Sequence, residues 1–242
     1  MAGTSISNAS FKKASYLFLT NNSSKGVDSY IEKLAHMGIR AVREDFVTSV
    51  EATVSFLRER YQMQTRQRKI YVLGTESFKA QMVSEGFRVT DRLEDGIQAL
   101  LVGFDRELTY QKLEDACILL QEEIDYFATN PDWVCPTIFG SVPDCGSICQ
   151  MLEHATGKRP YFIGKPQPEM VYLSLKKTGC CPEDAVLLGD RLYTDIACGV
   201  NAGIDTIFVL SGEGTLEDLE KSQVKPTVVI DHIGEVLRRI KE

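Results

Sequence analysis

No apolar run in this chain of 242 residues approaches the ~20 that span a bilayer. The opening stretch MAGTSISNASFKK holds no apolar core of the secretory kind. Histidine is scarce: His36, His154 and His232 are the full set, each on a segment of helical periodicity. None stands near a candidate nucleophile, so a Ser-His-Asp or Cys-His mechanism finds no support. Positive charge is in deficit, with a net charge of −7. That balance argues against general binding of nucleic acid or anionic membranes, both of which need basic faces. The pattern G-x-x-x-x-G-K-[ST] is absent, which excludes a P-loop. Gly212-Glu213-Gly214 begins a G-x-G, but Glu217 stands where a dinucleotide fingerprint needs its third glycine.

What is present is ordinary soluble-protein composition, 43% hydrophobic and 25% charged, in a chain long enough for a large core and one or two domains. The seven cysteines are an odd number without a signal segment, so free thiols in a reducing cytoplasm are expected. Cys145 and Cys149 form C-x-x-x-C. No second Cys/His pair lies at ligand spacing, so buried small hydrophobes compete with half a zinc site. Cys180 and Cys181 fall in a turn between Gly179 and Pro182.

Strand-like and helix-like segments alternate. Strands are expected at Tyr16–Leu19, Ile70–Leu73, Ala99–Phe104, Tyr126–Thr129, Tyr161–Ile163, Ala185–Leu188, Thr206–Leu210 and 227–230. Helices are expected near 27–38, 49–61, 76–85, 109–122, 146–155, 168–178, 195–203, 215–221 and 232–240. Such alternation specifies a parallel sheet with helices on its faces. The polar stretch QMQTRQR, residues 62–68, reads as a surface turn.

Three strand ends carry chemistry, and ligands of open parallel sheets bind outside the carboxyl ends of strands. LFLTNNSSK places Thr20, Asn21, Asn22, Ser23 and Ser24 after the first strand. They suit an anion, although a helix N-cap uses the same residue types. IGKPQP holds Lys165 between a strand and two prolines. There it serves a phosphoryl group or crowded carboxylates, or is a plain surface lysine. AVLLGDRLYTD delivers Asp190 to a strand end, as a magnesium ligand is, with Asp195 five residues on. Asp195 is either an orienting partner or an acid favoured by the helix dipole.

LFLTNN, then GKP about 145 residues later, then GDRLYTD, together with ATNPD at 128–132 and VLSGEGTLEDL near the end, resemble the haloacid dehalogenase (HAD) superfamily. The likeness is to class IIA, its NagD-like or p-nitrophenylphosphatase-like branch, and runs from about Tyr16 to the C-terminus. It implies an α/β fold: a Rossmann-like parallel core over 1–49 and 161–242, with an inserted α/β cap over 50–160. It also implies magnesium-dependent hydrolysis of small phosphate monoesters, whether sugar phosphates, nucleotides or p-nitrophenyl phosphate. Thr20 and Asn21 would bind phosphoryl oxygens, Lys165 would neutralise charge, Asp190 would bind Mg2+ and Asp195 would support the loop. Arg191, Leu192, Tyr193 and Thr194 would line the phosphate site, and Asn130, Asp132 and Trp133 would reach the substrate from the cap. The implied partner is a small phosphorylated metabolite, with room for a homodimer, no nucleic acid and no membrane.

The family's first motif, D-x-D-G, supplies the nucleophile and the general acid/base. This sequence contains no D-x-D, and its first aspartate is Asp28. The fold expectation therefore includes a missing central strand. The functional expectation is little or no turnover by the chain as written. A shortened gene model, a non-catalytic phosphate-binding or partner-binding pseudophosphatase, a gap closed by residues 1–15 or by another chain with residual binding, and a truncated fragment are the alternatives.

Overall fold

The computed structural model of the protein describes residues 16–23, 26–64 and 66–241. The chain divides into two compact units, one over Phe18–Lys165 and the other built from Pro166 onward together with Leu17.

The first unit begins with β1 (Phe18–Thr20), α1 (Val27–His36), β2 (Phe46–Thr48) and α2 (Ser49–Arg60). β1 and β2 pair in parallel, with Thr20 opposite Thr48. Thr48 starts α2 through a reciprocal capping box with Glu51, which satisfies two otherwise orphaned donors. The unit continues with β3 (Lys69–Leu73), α3 (Glu76–Ser84), β4 (Arg88–Thr90), β5 (Ile97–Val102), α4 (Tyr110–Leu119) and β6 (Asp125–Ala128). It ends with β7 (Val134–Thr137), β8 (Gly140–Pro143), α5 (Cys145–Thr156) and β9 (Tyr161–Phe162). Five of these strands form a sheet in the order β4-β3-β5-β6-β9, with every pair parallel. Ala99 to Val102 are fully buried, which is why that strand reads as a continuous apolar run rather than an alternation. Leu73, Leu100, Val102, Ile148 and Leu152 belong to the core cluster that packs α5 against the sheet. Thr75 and Thr109 cap α3 and α4.

This sheet changes winding direction between β3 and β5, where such sheets commonly take ligands. Lys112 fills that position. Its Nζ donates to the Gly74 carbonyl at 3.2 Å, beyond the end of β3, and to Asp105 Oδ2 at 2.7 Å, beyond the end of β5.

The second unit contains α6 (Glu169–Thr178), β10 (Val186–Gly189), α7 (Ala197–Ala202), β11 (Asp205–Val209), α8 (Leu216–Lys221), β12 (Val228–Ile230) and α9 (Gly234–Lys241). Its parallel sheet has the order β10-β11-β12. Along β11 the side chains alternate: Phe208 joins Leu192 and Ile196, while Ile207 and Val209 join Ile230.

The main helices and strands fall where the sequence pattern places them. β2, β4 and the β7–β8 hairpin were not expected. β2 and β4 are three residues each, too short to show a period, and the hairpin carries Pro136 and Pro143. The 62–68 stretch does turn, with Gln62 and Met63 at positive φ; Thr65 lies outside the described residues.

Candidate functional site

Each unit carries its own constellation of polar groups at strand ends. In the first unit Thr20 ends β1. Its hydroxyl donates to Tyr30 Oη at 3.4 Å and accepts the Asn22 N–H at 3.3 Å. Burial pushes the Tyr30 hydroxyl up, against the opposing effect of the Thr20 bond. Asn21 and Lys165, 144 residues apart in sequence, meet through two bonds. The Lys165 N–H donates to Asn21 Oδ1 at 2.9 Å, and Asn21 Nδ2 donates to the Lys165 carbonyl at 3.0 Å. Lys165 Nζ donates to the Leu19 carbonyl at 3.4 Å. Lys165 is therefore not a plain surface lysine: it is buried, with its ammonium drawn to the end of β1.

The loop after β1 is not a helix cap. The residue before α1 is Gly26, and no side chain caps that helix. Ser23 is buried, its Oγ accepting the Phe104 N–H at 3.0 Å and the Thr129 hydroxyl at 3.2 Å, so it anchors the loop to the ends of β5 and β6. Ser24 lies outside the described residues. Thr20 and Asn22 keep partial exposure.

Asn130 differs from the expectation. It has no exposed surface, and its Nδ2 donates to the Asn21 carbonyl at 2.7 Å, which turns it toward the scaffold of the loop. Asp132 is buried as well, its N–H donating to Asn130 Oδ1 at 3.1 Å. Trp133 is half exposed, and its carbonyl accepts from Asp144 and Ser147.

In the second unit Asp190 follows β10. Its Oδ2 accepts the Glu213 N–H at 2.8 Å and its carbonyl accepts the Gly214 N–H at 3.0 Å. The Gly-x-Gly that failed as a dinucleotide fingerprint is thus the loop that holds Asp190. A Cβ on Gly212 would stand 2.0 Å from Asp190 Oδ2, so only glycine fits. Residues Leu192–Ile196 form a π-turn leading into α7, an irregularity frequent at functional positions. Within it Asp195 is buried, and its Oδ2 accepts the Arg191 N–H at 3.2 Å.

The stretch from Arg191 to Thr194 does not present four side chains to a ligand. Leu192 is core, packed with Ile196 and Phe208, because the turn sends the two to the same side. Thr194 is buried. The Arg191 guanidinium is engaged by Glu213 Oε2 at 2.7 Å. Tyr193 alone of the four is exposed.

Among the described residues no three His, Cys, Asp or Glu side chains are grouped to hold a metal ion. Magnesium, however, takes one or two protein carboxylates and completes its shell with water and phosphate oxygens. Asp190, a hard-oxygen donor held at a strand end by two main-chain N–H groups, fits that role as a single ligand. Cys145 and Cys149 are buried in the core of the first unit, and burial pushes the Cys149 thiol up, as for packed small hydrophobes. His36 lies on α1 and His154 on α5, both exposed.

The family pattern described as haloacid dehalogenase-like hydrolase matches residues 2–88, and the HAD-hydrolase-like pattern matches residues 162–236. An acid sugar phosphatase of Staphylococcus aureus is 32% identical over 94% of this chain and 85% of its own length. The solved 4-nitrophenylphosphatase of Thermotoga maritima is 40% identical, with a TM-score of 0.82 over 92% of this chain and 83% of that one. A glycerol phosphate phosphatase of Mycobacterium tuberculosis, solved in complex with magnesium, is 29% identical, with a TM-score of 0.83 over 93% of this chain and 66% of that one. The chain belongs to the haloacid dehalogenase-like hydrolases, in their class IIA branch of NagD-like and p-nitrophenylphosphatase-like phosphatases.

Proposed function

We propose that this chain recognises the phosphoryl group of a small phosphorylated metabolite and, as written, binds it with little or no turnover. The observation that carries the recognition is the junction of Lys165 with the loop after β1, which draws its ammonium to the Leu19 carbonyl, one residue before Thr20. A fixed ammonium and a hydroxyl are suitable partners for phosphoryl oxygens. Asp190 is the residue that would hold magnesium, and that ion supplies charge neutralisation when bound. The M. tuberculosis relative solved with magnesium supports this choice of metal. Asp195 supports the Asp190 loop through Arg191, and Tyr193 is the member of its stretch with surface to offer a ligand.

The second half of the proposal rests on the sequence as written, in which no two aspartates have the D-x-D spacing. Asp190 is a poor substitute nucleophile, since the same oxygens would have to hold the metal. Residues 50–160 are read as the cap, built on β3, β4, β5 and β6 of the five-stranded sheet, with Asn130 holding the loop after β1 and Asp132 bonded to Asn130. A cytoplasmic setting accords with seven free cysteines; no described helix is long and apolar enough to cross a membrane. A homodimer is compatible with this reading.

A second reading, magnesium-dependent hydrolysis, is favoured by the relatives, which are named phosphatases. One experiment separates the two. Orthophosphate and p-nitrophenyl phosphate are titrated into the purified chain with magnesium, and hydrolysis is followed in parallel. Binding that Lys165→Ala weakens by about tenfold or more, without turnover, is the expected result. Magnesium-dependent release of p-nitrophenol that Asp190→Asn abolishes would establish the second reading instead. Absence of binding by both ligands would overturn phosphoryl recognition.

A further inference from the structure

Asn21 joins four segments of the first unit. Its Oδ1 accepts the Lys165 N–H at 2.9 Å and its Nδ2 donates to the Lys165 carbonyl at 3.0 Å. Its own carbonyl accepts Ser49 Oγ at 2.6 Å, from the start of α2, and Asn130 Nδ2 at 2.7 Å, from the end of β6. The approach is close enough that a Cβ on Gly164 would stand 2.7 Å from Asn21 Oδ1 and 2.5 Å from the Thr129 carbonyl. Asn21 and Lys165 are both buried.

We propose that Asn21 is a positioning residue whose carboxamide acts on Lys165 and not on the phosphoryl group. The proposal rests on the reading of Lys165 as a phosphate ligand. Two residues of neighbouring antiparallel strands exchange both N–H···O bonds in the same way. Here a side-chain amide takes the place of one of those residues. β9 runs along the edge of its sheet, and its pairing continues past the assigned strand, with Ile163 donating to Ala128 and Gly164 to Thr129. At Lys165 the Asn21 carboxamide takes up both main-chain groups. Only an amide of this length offers an acceptor and a donor in one plane: aspartate lacks the donor, and glutamine adds a methylene to a packed position. Lysine has a long flexible stem, so the place of its ammonium must be set from its main chain and from the Leu19 carbonyl. Asn21 performs the first task before a ligand arrives.

The test combines amine acetylation with phosphate binding on the full chain. Native protein, Asn21→Leu and the isosteric Asn21→Asp are treated briefly with acetic anhydride, and acetylation of Lys165 is read by mass spectrometry against Lys221, whose side chain is 71% exposed. Loss of the two bonds is expected to raise relative labelling of Lys165 by about tenfold in Asn21→Leu and by less in Asn21→Asp, which keeps the acceptor. Circular dichroism checks the fold of each variant, and Asn21→Asp carries the test if Asn21→Leu does not fold. Orthophosphate is then titrated into Lys165→Ala with and without Asn21→Leu, or Asn21→Asp if that variant carries the test. A residue acting through Lys165 adds no loss once the ammonium is gone, whereas a direct phosphate ligand adds its own. Unchanged labelling, or additive losses, overturns the proposal. If orthophosphate fails to bind the native chain, the phosphate reading falls, and the labelling result alone decides whether Asn21 sets Lys165.

Discussion

The main-chain N–H of Glu213 donates to Asp190 Oδ2 at 2.8 Å, so the orientation of the strand-end carboxylate is imposed by a loop more than twenty residues further along the chain. Gly214 adds a second main-chain bond to the Asp190 carbonyl. The loop approaches closely because Gly212 has no side chain. Gly212→Ala is expected to displace either Asp190 or the loop and to cost about 1–3 kcal/mol, as overpacking does. Glu213→Gln keeps the main-chain donor and loses only a partly exposed ion pair with Arg191, so its cost is expected to stay below about 1 kcal/mol. Denaturant unfolding of the two variants checks the order; equal losses would mean that the close approach of Gly212 is not what holds Asp190.

Asp195 supports the other side of Asp190 from within the π-turn, where its buried carboxylate accepts the Arg191 N–H. Asp195→Ala removes that acceptor and is expected to destabilise by about 1–3 kcal/mol, the usual result of stranding a buried partner. Asp195→Asn retains an acceptor oxygen and is expected to lose clearly less. The comparison, read from chemical unfolding midpoints, separates hydrogen bonding from charge.

Much of this was legible in the sequence because local signals agreed with the final packing. The apolar run before Asp190 became β10, and the repeat beginning at Val27 became α1. The strand-end positions of Thr20, Lys165 and Asp190 followed from the same punctuation. What escaped was set at long range. The bonds between Asn21 and Lys165 depend on the orientation of a carboxamide 144 residues away, to which no periodicity points. Gly212-Glu213-Gly214 was measured against a nucleotide motif, whereas its glycine serves an aspartate in its own unit. Leu192 did leave a signal: with Ile196 it makes an apolar pair four residues apart, the spacing of one helical face, and that pair is core.

Stability should depend on pH through Lys79 and Asp91, whose charged atoms lie 2.6 Å apart. The Lys79 hydrogen bond holds the Asp91 carboxyl below its ordinary value of 3.8. Burial pulls the Lys79 ammonium down, but the bonds to Asp91 and Glu76 outweigh it and leave its pKa above 10.5. The carboxyl pKa is depressed in the folded state, so its contribution is complete above 3.8 and is lost as pH falls through the lowered value. The ammonium pKa is raised, so its contribution is complete below 10.5 and is lost as pH climbs past the raised value. Asp91 is 44% exposed, which limits the net gain to about 1 kcal/mol or less after solvent screening. Asp91→Asn is therefore expected to lower the melting temperature near neutral pH and to match the native protein well below 3.8. Calorimetry across that range checks it, and a difference that persists in strong acid would assign the loss to packing.

The core of the first unit contains a buried polar pair whose members are not separately dispensable. Tyr71, fully buried in β3, donates its hydroxyl to Asp115 Oδ2 at 2.9 Å, and Gln111 donates to Oδ1 at 2.8 Å. Burial, reinforced by the bond to Asp115, pushes the Tyr71 hydroxyl up, so it remains a donor across the physiological range. Tyr71→Phe takes one donor from a carboxylate that water does not reach well, and about 1–3 kcal/mol of stability is expected to go with it. Adding Asp115→Leu removes the stranded acceptor, and the exposed Gln111 can turn to solvent. Replacing both partners of a buried hydrogen bond with apolar groups is often close to neutral. The double variant is therefore expected to be more stable than Tyr71→Phe alone, a reversal that thermal unfolding detects directly. A double variant less stable than either single one would mean that Asp115 has a role on α4 beyond accepting from Tyr71.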